Sequence, residues 1–207
     1  SSMHTFGGQV GRRISEARER VAGAFGCHPD EVIFNACGTE GDNTAIRSAL
    51  ASQPEKRHVI TTRVEHPAVL NLVKHLERKG YEATYLGVDE EGRLDLDELK
   101  DSIRHDTALV SVMYANNETG VVYPIQEIAE IAKERGVLVH TDAVQVLGKV
   151  PFDLKTLPVD FLAVSGHKVH APKGVGALFV RKGTQFRPFM VGGHQERGRR
   201  AGTENTT

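Results

Sequence analysis

The chain has 207 residues, 39% hydrophobic and 26% charged, and its 26 basic and 27 acidic side chains leave a formal net charge of −1. That is enough chain for one sizeable core, and it lacks the basic excess of a nucleic-acid binder or of a protein held on anionic membranes. No apolar run nears the roughly 20 residues of a membrane span and no signal peptide is visible. Two cysteines, Cys27 and Cys37, are too few for a disulfide framework, so a cytoplasmic protein is expected. The ten histidines show no zinc-ligand spacing, and no metal site is expected.

In chain order, Val10, Ile14, Ala17, Val21 and Ala24 recur at helical spacing and predict an amphipathic helix over 9–25. Gly26 to Asp30 break the pattern, and Val32-Ile33-Phe34 reads as a short strand. A small-residue turn over 35–43 and a helix over 44–51 follow. Strand, small-residue turn, helix start is the geometry that sets backbone N–H groups against a phosphate, although Thr39 and Glu40 serve equally well as helix caps. A strand over 58–62 leads into the turn 63–67, which carries Glu65 and His66. The helix 68–79 turns Val69, Leu72, Val73 and Leu76 inward. Strands over 82–87 and 108–113 are separated by an acidic turn and a short helix, 97–104, and the second of them ends at the polar turn 116–120. After a helix over 125–135 that stops at Gly136, a strand over 137–141 runs into Asp142-Ala143-Val144-Gln145. A strand over 161–164 runs into Ser165-Gly166-His167-Lys168, and a Pro-Lys-Gly turn precedes a last strand over 177–180.

Strands alternating with helices imply a three-layer α/β/α sandwich around a mostly parallel sheet, and no linker or repeat divides it. The unusual polar residues all follow predicted strands: Cys37-Gly38-Thr39, His66, Asn117, Asp142 with Gln145, and Ser165, His167 and Lys168. On a parallel sheet such turns share one edge and can surround a single ligand. That ligand would have a phosphate for the small-residue loop, an aldehyde for a Schiff base with Lys168, and a basic ring nitrogen for Asp142. Pyridoxal phosphate has all three. A carboxylate against the pyridine nitrogen keeps it protonated, so that the ring can accept an electron pair. His66 would stack on the ring face, Gln145 bond the phenolic oxygen, and Ser165 and His167 join Thr39 at the phosphate. Taken singly, each residue has a plainer reading: Lys168 as a surface charge, His66 and Asp142 as helix caps, Asn117 as a turn residue. A nucleotide-binding module is disfavoured, because residues 36–41 contain neither G-x-x-x-x-G-K-[ST] nor G-x-G-x-x-G.

Ser1-Ser2-Met3-His4, Cys37-Gly38-Thr39-Glu40-Gly41-Asp42-Asn43, Glu65-His66, Asn116-Asn117-Glu118-Thr119-Gly120, His140-Thr141-Asp142-Ala143-Val144-Gln145, Ser165-Gly166-His167-Lys168 and Arg200-Ala201-Gly202-Thr203-Glu204-Asn205 together resemble the cysteine desulfurases of the NifS/IscS type. These are class V aminotransferase-type enzymes of pyridoxal phosphate fold-type I. The resemblance implies that Lys168 holds the cofactor covalently, that His66 stacks on it and aids proton transfer, and that Asp142 and Gln145 meet its ring nitrogen and phenolate. It implies Gly38, Thr39, Ser165 and His167 at the phosphate, Asn117 near the substrate carboxylate, and a homodimer in which Thr203 reaches the neighbouring subunit's phosphate. The implied reaction takes sulfur from L-cysteine, leaving L-alanine and an enzyme persulfide for an iron–sulfur scaffold, with nitrogenase maturation as one destination. Residues 1–207 would then be an incomplete cofactor-binding large domain, lacking the start of the family and the carboxy-terminal part with the nucleophilic cysteine and the substrate-binding arginine. Cys27 and Cys37 do not match that nucleophile, and the chain alone is expected not to turn over cysteine. A selenocysteine lyase, a sulfinate desulfinase or another class V member shares the same core. In a different class, the chain would be an inactive cofactor-binding or dimerising half.

Overall fold

A computed structural model describes residues 5–206, so the Ser1-Ser2-Met3-His4 stretch lies outside the described residues. The elements are α1 (Thr5–Phe25), β1 (Val32–Asn35), α2 (Gly38–Ala51), β2 (His58–Thr62), α3 (Pro67–Glu77), β3 (Glu82–Leu86), α4 (Leu96–Ser102), β4 (Thr107–Ser111), α5 (Ile125–Glu134), β5 (Leu138–Asp142), β6 (Phe161–Ser165) and β7 (Gly176–Val180). The strands form one sheet in the order β1-β7-β6-β5-β4-β2-β3. From β3 to β6 every pairing is parallel, whereas β7 is antiparallel to both β6 and β1. The link between β6 and β7, residues 166–175, is too short for a helical crossover, so β7 can only return antiparallel. Because β1 is antiparallel to β7, it points the same way as β6. Its carboxyl end therefore lies at the same edge of the sheet as those of the parallel strands.

Alternation along the strands splits the core into two layers. Ile33, Val59, Leu109, Phe161 and Leu178 pack with Ala45, Ile46, Val69, Leu72 and Val73 of α2 and α3. Their strand neighbours Val32, Ile60, Val110, Leu162 and Phe179 pack with Ala22, Phe25, Leu99, Ile128 and Ala132 of α1, α4 and α5. Covering on both sides explains why β2, β4, β6 and β7 are buried at every position. The three-layer α/β/α arrangement is the one the alternation predicts.

One local expectation differs from the structure. The turn expected over 35–43 is mostly helix, since α2 already begins at Gly38. Its glycines are there for contact with the sheet and its loops: a Cβ on Gly41 would sit 3.0 Å from the Ala163 methyl, and one on Gly38 would sit 2.6 Å from Val144 Cγ2. The connection from β5 to β6 contains no helix. Gly148 adopts φ 71°, and Pro151 and Pro158 deny the segment further backbone donors.

The outer edge of β1 is closed by the chain's last segment. Arg18 of α1 makes two bonds of 2.7 Å to the Glu196 carboxylate, donates to Val32 O at 2.8 Å, and lies 4.6 Å over the Phe34 ring. Glu196 Oε2 also accepts the Phe34 N–H at 3.0 Å, so the edge strand is left without a free pairing row there. Both side chains are nearly buried, at 8% and 3% exposure. Removing one partner of such a pair leaves an uncompensated buried charge. Arg18→Met is therefore expected to destabilise the full-length protein by about 3–5 kcal/mol. Urea denaturation with the slope unchanged checks this, and a loss below about 1 kcal/mol, the size of an exposed pair, contradicts it.

Candidate active site

The carboxyl ends of β1, β2, β4, β5 and β6 converge on a cleft of about 180 Å³ lined by Cys37, Gly38, Thr39, Asp42, His66, Met113, Ala115, Asn117, Asp142, Val144, Gln145, Ser165, His167 and Lys168. Every residue expected around a single ligand lies there; Thr203, expected instead at a neighbouring subunit's phosphate, is exposed and lines a separate cleft with Val21, Asn35 and Arg200.

One wall is the start of α2. Cys37 occupies the N-cap with extended backbone and gives no side-chain cap, and Gly38 and Thr39 of the first turn line the cleft. Glu40 does not cap the helix in the way its sequence position suggested. Its Oε2 accepts Ala36 N–H at 2.9 Å, and Arg200 Nε holds its Oε1 at 2.7 Å. That pairing offsets a negative charge which would otherwise oppose an anion at the helix end. The end of β6 adds Ser165, whose Oγ is 2.8 Å from His167 Nδ1, and a short 3-10 turn, Gly166–Val169, that carries His167 and Lys168.

Asp142 stands at another wall, at the end of β5. It is not a helix cap, because no helix follows; its Oδ1 accepts Val144 N–H at 2.9 Å in a local turn. Burial first, and then the neighbouring Asp42, push its pKa up to about 7, against the Val144 N–H and the nearby His140 and His66. His66 combines both of its sequence readings. It is the N-cap of α3, with Nδ1 accepting Ala68 N–H at 3.1 Å, and its side chain lines the cleft. In the 116–120 turn the structural work falls to Asn116, whose Oδ1 accepts the N–H groups of Glu118 and Thr119 at 2.9 Å, which leaves Asn117 to the cleft. Gln145 Oε1 accepts from Lys149 Nζ at 3.1 Å.

Sequence reasoning missed Asp42 and the buried residues behind the wall. Glu65 Oε1 accepts from Thr62 Oγ1 at 2.9 Å and from Met113 N at 2.8 Å, tying the exits of β2 and β4 together. Burial raises its pKa to about 8. His140, two residues before Asp142, places Nδ1 2.9 Å from Ser111 Oγ and Nε2 3.4 Å from Asp42 Oδ1. The available signal for Asp42 was its spacing: Gly38, Asp42, Ala45 and Ala49 fall on one helix face, a polar residue among inward-facing small ones.

These groups set a pH dependence. Asp42 and Glu65, normally near 3.8 and 4.5, and Asp142 hold their protons more tightly folded than unfolded. Their contribution is present at low pH and is lost as pH rises toward about 8. His140, lowered by burial from 6.5 to about 4, works the other way and adds stability as pH rises to 6.5. The melting temperature of the ligand-free full-length protein is therefore expected to fall between pH 6.5 and 8, and Glu65→Gln should flatten the fall. A melting temperature that rises across that interval in calorimetry would contradict the assignment.

Residues 1–207 match the family described as aminotransferase class-V. A cysteine desulfurase of Nostoc sp. is 63% identical over 205 residues, covering 99% of this chain and 51% of that relative. The cysteine desulfurase NifS of Azotobacter vinelandii is 56% identical over 206 residues, with 99% of this chain and 51% of the relative covered. A solved NifS-like protein superposes with TM-score 0.96 at 43% identity, over 99% of this chain and 57% of its own. The chain thus spans about half the length of the curated relatives it matches. With a family match along its whole length and relatives this similar, the chain belongs to the aminotransferase class-V family.

Proposed function

We propose that residues 1–207 form the cofactor-binding large domain of a pyridoxal phosphate-dependent cysteine desulfurase, an incomplete one whose sulfur-accepting cysteine and substrate-binding arginine belong to other parts of the protein. The observation that carries this reading is the convergence of Lys168, Asp142 and the uncapped start of α2 on one cleft. The residues present fit the cofactor. The first turn of α2 with Thr39, Ser165 and His167 suits a phosphate dianion, since helix-start N–H groups and hydroxyl donors favour negative charge. Asp142 suits a protonated ring nitrogen: its raised pKa reflects a buried carboxyl without a cation, and a cation placed against it restores the ionised form. Lys168 is an amine on the cleft wall for the aldehyde. His66, Gln145 and Asn117 serve the ring face, the phenolic oxygen and the substrate side.

When bound, pyridoxal phosphate supplies an electron sink for the pair left when a bond at the substrate Cα breaks. The chain's own residues do the rest. Lys168 Nζ carries the covalent attachment and, once displaced by a substrate amine, holds and returns a proton. His66 accepts a backbone N–H at Nδ1, so its neutral ring carries its own hydrogen on Nε2, where it is available as a hydrogen-bond donor. Asp142, fixed by Val144 N–H, keeps its charge in register with the ring nitrogen.

L-alanine as product and sulfur passed as a persulfide to an iron–sulfur scaffold or similar acceptor follow from the NifS/IscS resemblance of the motifs; cysteine as the source of sulfur is supported by the names of the relatives. The NifS name among them favours a link to nitrogenase maturation. Thr203, exposed and away from the cleft, is free in position to serve the phosphate of a second subunit in a homodimer. A cytoplasmic setting is in keeping with the described helices, none of which is long and apolar enough to cross a membrane. In the full-length protein, Lys168→Ala is expected to abolish alanine formation from L-cysteine and the visible absorption of covalently bound cofactor, while noncovalent cofactor binding persists in weakened form. Retained cysteine-dependent alanine production in that variant overturns the role of Lys168.

A further inference from the structure

Asp42 lines the cleft, yet nothing above gives it work. It enters from α2 with its side chain 1% exposed, and its Oδ1 has no hydrogen-bond partner. Across from it, 3.4 Å away, stands His140 Nε2, also fully buried and also without a partner. The other ring nitrogen of His140 meets Ser111 Oγ at 2.9 Å, on the residue that pairs with His140 across β4 and β5. His140 and Asp142 are alternate residues of β5, so both side chains project from the face that α2 covers. The 3.4 Å separation is longer than the roughly 2.5–3.0 Å of a closed O–H···N bond and too short to admit a bridging water. The two orphaned atoms face each other, and a small closing movement lets each satisfy the other.

One proton between them can be shared in two ways. A carboxylate facing an imidazolium would bury two charges with no other donor to the carboxylate oxygen, which a dry interior penalises. A carboxylic acid facing a neutral imidazole needs only one bond at Nε2, and frees Nδ1–H to donate to Ser111. Burial acts in that direction on both groups, raising Asp42 to about 8 and lowering His140 to about 4. The acidic surroundings agree with it. Asp142 at the end of β5 and Glu65 in the turn after β2 both face this region, and a charge on Asp42 would repel each of them.

We propose that Asp42 is a positioning residue: carrying a proton, it donates to His140 Nε2, fixes the ring as the Nδ1–H tautomer against Ser111, and leaves Asp142 as the one charged carboxylate on the cleft wall. The tautomer part stands on the geometry alone. The consequence for Asp142, that its charge is reserved for a cationic ring nitrogen, rests on the cofactor reading of the preceding subsection. The two senses of Asp42 separate cleanly under substitution. Asn at this position still donates to Nε2 and still carries no charge, so a hydrogen-bond role survives Asp42→Asn, whereas an ion-pair role does not. Asp42→Ala removes the donor in either case.

The test uses the full-length protein with ¹⁵N-labelled histidine, with and without added pyridoxal phosphate, and with His140 assigned by its loss in His140→Gln. At neutral pH the expected result is a neutral His140 in the Nδ1–H tautomer in the wild type and in Asp42→Asn, and a mixture of tautomers in Asp42→Ala. Fluorescence titration with pyridoxal phosphate should give Asp42→Asn an affinity within about twofold of wild type. Asp42→Ala leaves no charge at this position either, so its affinity should also stay within about twofold, and its signature is the mixed tautomer of His140. An imidazolium or an Nε2–H tautomer in the wild type overturns the proposal, as does loss of the tautomer or an affinity changed about tenfold in Asp42→Asn, or the wild-type tautomer in Asp42→Ala. Wild-type protein that binds no pyridoxal phosphate refutes the cofactor reading instead, and the tautomer measurements still decide the role of Asp42. If Asp42→Ala does not fold, the wild type and Asp42→Asn decide it.

Discussion

The close approach of α2 to β6 and its flanking loops is the contact on which the site depends. Three positions without side chains make it possible. Gly41 lies against Ala163, Gly38 lies against Val144, and a Cβ on Gly176 would meet Asn35 Oδ1, the Val164 carbonyl at 2.9 Å and Cys37 Cα at 3.0 Å. A methyl group at any of them would push the helix start outward from the sheet edge, and the N–H groups of its first turn would no longer share a cleft with Lys168 and Asp142. The tight packing of a three-layer sandwich thus serves as a ruler: layer spacing sets the distance between the helix end and the strand ends.

Electrostatically, the cleft is divided by element of origin. Cationic and donor character comes from the start of α2 and from the turn after β6, which carries His167 and Lys168. Acidic character comes from the end of β5 and, behind it, from Asp42 and Glu65. Without a ligand those carboxyls are uncompensated, and burial drives them toward the neutral state. A group positive at one end and negative at the other would relieve both walls together, in the way that perturbed groups gather at sites of function.

Much of this was legible in the sequence for a simple reason. When strands are parallel and buried on both faces, they read as apolar runs, and whatever follows them reads as conspicuous polarity. His66, Asn117, Asp142, Ser165 and Lys168 stood out in that way, and the geometry brings them together. The parts that were not legible depend on contacts that local pattern does not encode. Gly38 and Gly41 resembled a turn because their packing partners, Val144 and Ala163, lie more than a hundred positions away in the chain. Asn116 and Asn117 are adjacent and chemically identical, and only the turn geometry separates the residue that builds the loop from the one that faces the cleft. Asp42 and His140 were passed over because each alone looks like an ordinary polar residue, and their meaning lies in facing one another across two layers.

The position of β1 has a consequence for how the molecule comes together. Among the described residues, β1 precedes the other strands, but its one partner in the sheet is β7, the last of them, and its outer edge is closed by Glu196, later still. During synthesis, β1 therefore has no sheet partner until the chain between it and β7 has been made, a wait on the order of ten seconds at typical elongation rates. The parallel block from β2 to β6 can assemble first, and α1 and β1 are then locked in place after strands that follow them in the chain.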